Sequence, residues 1–103
     1  MEFYSVVEDR PVTAAIGRAY DIFARTDDAI ESLHYALERN PKLAGFETDE
    51  KPAMYYIKLH GKSSIKLPTV TAVYQIGNAQ VFVRSIRIEH DGVIFHSAAF
   101  ESE

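Results

Sequence analysis

Residues 55–67 read Tyr-Tyr-Ile-Lys-Leu-His-Gly-Lys-Ser-Ser-Ile-Lys-Leu, and here the hydrophobic period of the chain changes from that of a helix to that of a strand. The odd positions Tyr55, Ile57, Leu59, Ile65 and Leu67 are apolar, whereas the even positions carry Tyr56, Lys58, His60, Lys62, Ser64 and Lys66. Because successive strand side chains point to opposite faces, this alternation predicts one buried face and one basic face. The stretch 69–76 repeats the pattern, with Val70, Ala72, Tyr74 and Ile76 alternating with Thr69, Thr71, Val73 and Gln75. Gly77-Asn78 signals a tight turn, 80–89 is rich in Val and Ile, and His90-Asp91-Gly92 makes a second turn before a strand at 93–100. These last three strands are expected to form an antiparallel meander.

Upstream the spacing is helical. Glu2 to Glu8 reads as a short strand from its aromatic and β-branched content. Asp9-Arg10-Pro11 supplies a cap and a first-turn proline, and Val12, Ile16, Ala19, Tyr20 and Phe23 predict a helix over 11–25. Thr26-Asp27-Asp28 offers the next cap before Ile30, Leu33 and Leu37, and Asn40-Pro41 ends that second helix. A polar connection at 45–53 follows. The expected fold is α+β: an N-terminal strand, then a two-helix antiparallel hairpin packed on one face of a mainly antiparallel sheet, in the order β-α-α-β-β-β-β. The other sheet face is left open, with Lys58, His60, Lys62 and Lys66 expected on it.

The 103 residues are enough for one core and too few for two, so a single domain over 1–103 is expected. With no cysteine there is no disulfide framework and no thiolate nucleophile, which fits a reducing, cytoplasmic setting. The start carries no secretory pattern, and no run approaches a membrane span. The four histidines show neither HxH nor HExxH spacing, so neither a metal nor another cofactor is expected. Gly61-Lys62-Ser63 resembles the end of a phosphate loop, but Tyr56 stands where the first glycine belongs.

The net charge of −4 hides a segregation. Residues 1–50 hold eleven acids and five bases, and residues 51–90 hold six bases and the single acid Glu89. Such asymmetry points to an anionic partner for the second half.

Three places resemble the RelE/ParE superfamily of bacterial toxin–antitoxin toxins. They are Ala36-Leu37-Glu38-Arg39-Asn40-Pro41 with Gly45, then Tyr56-Ile57-Lys58-Leu59, then Val73-Tyr74-Gln75-Ile76-Gly77-Asn78 with Val81-Phe82-Val83-Arg84-Ser85-Ile86. The resemblance covers roughly residues 2–90. It implies a toxin held inactive by a cognate antitoxin, and, for the RNA-cutting members, metal-independent endoribonuclease action on ribosome-associated RNA. By position it implies catalytic roles for Lys58, His60 and Lys62, joined by Arg84 or Arg87. Cleavage by internal attack needs a base, cations for the phosphorane and an acid, which lysine, arginine and histidine supply. Lys66, His90 and His96 are further candidates for RNA contact, the two latter flanking the second turn. Arg84 and Arg87 have opposite parity, so both share one face only if a bulge intervenes near Ser85. Tyr74 is expected in the core with its hydroxyl at the rim, and His34 at the surface or boundary. The plainer reading of the lysines is a solvated sheet face. Thr71, where many members carry arginine, and the acidic total charge fit the alternatives: a non-nuclease toxin acting on DNA gyrase, or a catalytically inactive binding module of the same fold.

Overall fold

Val12, Ala15, Ile16 and Ala19 recur at helical spacing and are buried along one side of α1 (Arg10–Ile22), while Thr26, Ala29, Ile30, Leu33 and Leu37 do the same in α2 (Thr26–Arg39). In the computed structural model, which describes residues 3–48 and 53–97, these two stripes lie against one face of a six-stranded sheet. The strands are β1 (Ser5–Glu8), β2 (Phe46–Glu47), β3 (Met54–Leu59), β4 (Thr69–Ile76), β5 (Gln80–His90) and β6 (Val93–His96), and a one-turn helix α3 (Pro41–Ala44) precedes β2. The architecture is therefore α+β, with three helices and a mixed sheet of order β1-β5-β4-β3-β2.

Strand β5 is the hub. One of its edges pairs antiparallel with β4 along eight residues of each strand. Its other edge is shared: β1 runs parallel to Gln80–Val83, and β6 runs antiparallel to Arg87–His90. The gap between them is also paired, because Asp9 N donates to the Val83 carbonyl, Ser97 N to the Ile86 carbonyl, and Ile86 N to the Ser97 hydroxyl. Helix α1 covers β5 and β6, and α2 covers β1 and β4.

Several local expectations are corrected. Helix α1 ends at Ile22 rather than 25, with Phe23 turning inward to pack edge-on against Phe95 and His90. Asp9 stands at the start of α1, but its carboxylate makes no cap; it accepts from Arg84 instead. Thr26 does not cap α2. Its buried hydroxyl reaches back to the Ala19 and Phe23 carbonyls, satisfying the end of α1. The one-turn α3 follows Asn40 directly, and the two-residue strand β2 lies within the polar connection; a proline-started turn and one aromatic were too short to announce them. Positions 49–52, residue 2 of the first strand and residues 98–100 of the last lie outside the described residues.

Tyr74 is fully buried, and its hydroxyl lies inside the protein rather than at the rim, donating to the Pro41 carbonyl at 2.6 Å. Gly45 passes directly over it: a methyl group there would collide with the Tyr74 hydroxyl and the Tyr56 carbonyl. Tyr74 thus fastens α3 and β2 to the core. Burial, and then the neighbouring Tyr55, push its pKa up to about 12. Replacing Tyr74 by Phe strands a buried carbonyl, so urea denaturation is expected to show a loss of about 1–3 kcal/mol at neutral pH. The folded state holds the phenolic proton more tightly than the unfolded chain, so the wild type loses stability as pH rises from 10 towards 12, and the gap between the two proteins narrows across that window.

Candidate functional site

The face of the sheet away from the helices is built by cross-strand rows. Lys58 of β3 pairs with Thr71 of β4, Thr71 with Arg87 of β5, and Arg87 with His96 of β6, so four polar side chains cross the sheet in one line. At about 4.8 Å per strand the line spans roughly 14 Å between its end Cα atoms. Lys58 is exposed and forms no ion pair among the described residues. Arg87 reaches Glu89 at 3.4 Å on its own strand. His96 Nδ1 lies 3.3 Å from the Ser97 carbonyl oxygen, which can only accept, so in this contact Nδ1 is the donor.

A bulge adds Arg84 to this face. The β4–β5 register shifts between Val73 and Tyr74: Val73 pairs with Ser85 but Tyr74 with Val83, leaving Arg84 as the extra residue. Val81 and Val83 before the bulge, and Ile86 and Ile88 after it, all face the helices, while Phe82, Arg84 and Arg87 all face the open side. Arg84 is held on three sides. Its Nε donates to Gln75 at 3.1 Å, one terminal nitrogen pairs with Asp9 at 3.0 Å, and the guanidinium lies 4.8 Å from the centre of the Phe82 ring.

His60, Lys62 and Lys66 are not part of this row, because they lie beyond β3 in the loop that leads to β4. Strand β3 stops at Leu59, and a one-turn 3-10 helix at Ser63–Ile65 breaks the alternation, with Lys66 in the left-handed region and a lone bridge pairing Lys62 with Leu67. Two Ser residues in succession and the following Pro68 explain why the expected long strand is interrupted. Lys62 instead lines a cleft of about 230 Å³ with Ser63, Thr69, Glu89, His90 and Asp91. There Ser63 donates to Asp91 at 2.9 Å, and His90 approaches the same carboxylate at 3.3 Å. His90 is mostly buried beside Phe23, so it braces the turn rather than projecting from the open face. His34 is half-buried and bonded to Glu8 at 2.9 Å on the helix side.

Of the expected residues, the structure brings together Lys58, Arg84, Arg87 and His96. Sequence reasoning did not single out Asp9 and Gln75, which orient Arg84, or the exposed rings of Phe46 and Tyr56 at the β2–β3 margin. The three-residue spacing of Arg84 and Arg87 around a small Ser85 was the available signal of the bulge. Among the described residues no group of His, Cys, Asp or Glu is arranged to hold a metal, and no helix is long and apolar enough to cross a membrane.

Comparison with protein-family models, with curated proteins and with solved structures gave no match.

The ion pairs of Arg84 and Arg87 are each about two-fifths exposed, so they contribute little to folding. Arg84→Ala and Arg87→Ala are each expected to change the denaturation free energy by no more than about 1 kcal/mol. A larger loss would show that the face serves the fold first.

Proposed function

We propose that the protein is a RelE/ParE-like toxin domain, and that its open sheet face binds and cuts RNA. The observation that carries this reading is the bulge at Arg84, which puts two arginines of opposite parity on the face that already holds Lys58 and His96. Cations gathered on an open sheet, with one of them pre-oriented by Asp9 and Gln75, suit a phosphodiester. In the reaction the 2′-oxygen attacks the adjacent phosphorus and loses its proton to a base, while the bond to the 5′-oxygen breaks and that oxygen takes a proton from an acid. The products are a cyclic phosphate and a free 5′-hydroxyl. Arg87 and Lys58 offset charge on the phosphorane, and His96 Nε2, beside Arg87, handles a proton. The partner that holds such a domain inactive is a cognate antitoxin.

Expression from an inducible promoter in bacteria is expected to arrest growth with cut messages, and the double variant Lys58→Ala, Arg87→Ala to restore both growth and intact messages. With purified protein and a single-stranded RNA, each cation removed is expected to flatten the dependence of log affinity on log salt by about 0.7. Cutting that survives the double variant would overturn the assignment of this face, and arrest with intact messages would favour a gyrase-directed toxin.

A further inference from the structure

Phe46 and Tyr56 are direct cross-strand partners on the open face, with ring centres 5.7 Å apart and planes inclined by 37°. They are 69% and 43% exposed, which is unusual for large rings on a well-paired sheet. We propose that this pair is a stacking platform for an unpaired nucleobase, set at the margin of the cationic row; the proposal rests on the nucleic-acid reading of that face.

Three observations carry it. The first is rigidity. β2 is only two residues long, yet Tyr74 fixes the preceding α3 through the Pro41 carbonyl, Gly45 allows β2 to press against Tyr56, and Thr48 N bonds the Met54 carbonyl. Phe46 therefore stands on an anchored backbone. The second is the neighbourhood. Tyr56 lies two residues from Lys58 on the same face, about 6.7 Å along the strand, so a base on the ring leaves its own phosphate beside a cation that has no ion pair among the described residues. The third is vacancy of the rings towards cations. Arg39 lies over the exposed rings of Phe3 and Tyr35, and Arg84 over Phe82, but no arginine or lysine covers Phe46 or Tyr56 among the described residues. An aromatic surface interleaved with cations is what single-stranded nucleic acid uses, because every base has a face to stack and every nucleotide a charge to place. A purely apolar protein partner would leave Lys58 to be desolvated without a counter-charge.

The chain contains no tryptophan, so Tyr56→Trp installs a single fluorescent reporter in the platform itself. The probes are an oligoadenylate RNA and an abasic oligomer of equal length. Tyr56→Trp is expected to keep its affinity for oligoadenylate and to be quenched by it, but not by the abasic strand. Tyr56→Ala and Phe46→Ala are expected to weaken oligoadenylate by about ten-fold while leaving the abasic oligomer unchanged. If these alanine variants bind oligoadenylate normally while Lys58→Ala and Arg87→Ala bind it poorly, the platform is overturned and the nucleic-acid reading stands. If even the wild type binds neither oligomer, both fall. Concentration-dependent self-association that Phe46→Ala abolishes, with no effect on oligoadenylate, would overturn the platform in favour of a protein contact.

Discussion

One extra residue in β5, placed opposite the step between Val73 and Tyr74, sets the two faces of this molecule. Val81 and Val83 lie at odd positions, Ile86 and Ile88 at even ones, and all four are fully buried. A regular strand would have turned one pair out to water, exposing two large aliphatic side chains whose burial is worth about 1.5–3 kcal/mol each. The bulge removes that conflict, and the same half-turn that keeps the isoleucines inside turns Arg87 out beside Arg84. Core and candidate site are thus two consequences of one irregularity. Moving either would move the other.

The coarse architecture was legible because the hydrophobic period carries it. The stripes of α1 and α2, the alternation in β4 and the two turns at 77–78 and 91–92 were written in residue order, and the structure reproduces them. What was not legible depends on contacts between distant segments. Nothing local in Ser5–Glu8 says that it will lie parallel to β5, because that pairing follows from the helices carrying the chain back across the sheet. The supposed basic row failed for a different reason. Alternation was continued past the end of β3 into residues whose chemistry favours a turn, so that of the four residues Lys58, His60, Lys62 and Lys66 only Lys58 remains in a strand of the sheet. Arg87 and His96, which replace the others, come from strands that meet Lys58 only through Thr71.

The charge segregation along the chain is only partly kept between the layers of the fold. Of the acids in the first half, Asp21, Asp27, Asp28, Glu31 and Glu38 lie on α1 and α2 together with Arg10, Arg18 and Arg39, and there Tyr20 has its pKa raised by partial desolvation and then by Asp27, Glu31 and Glu8. Among the described bases of the second half, Lys58, Arg84 and Arg87 lie on the sheet and Lys62 and Lys66 in the loop beside it. Ion pairs such as Arg84–Asp9 and Arg87–Glu89 cross that division, so the open face carries acids as well as bases.

Within the open face the cations differ in how they are held, and that difference suits them to different tasks. Arg84 is confined by Asp9, Gln75 and the Phe82 ring, so it has little conformational entropy left to lose to any further contact. That preorganisation has a cost, since Asp9 already offsets part of its charge. Lys58 is the opposite: exposed and without an ion pair among the described residues, it keeps its full charge and its freedom. Arg87 lies between these extremes through its long contact to Glu89. Because α1 and α2 cover only the other side of the sheet, none of these side chains is needed to fill the core. The face can therefore be organised around a ligand while the fold rests on the buried side alone.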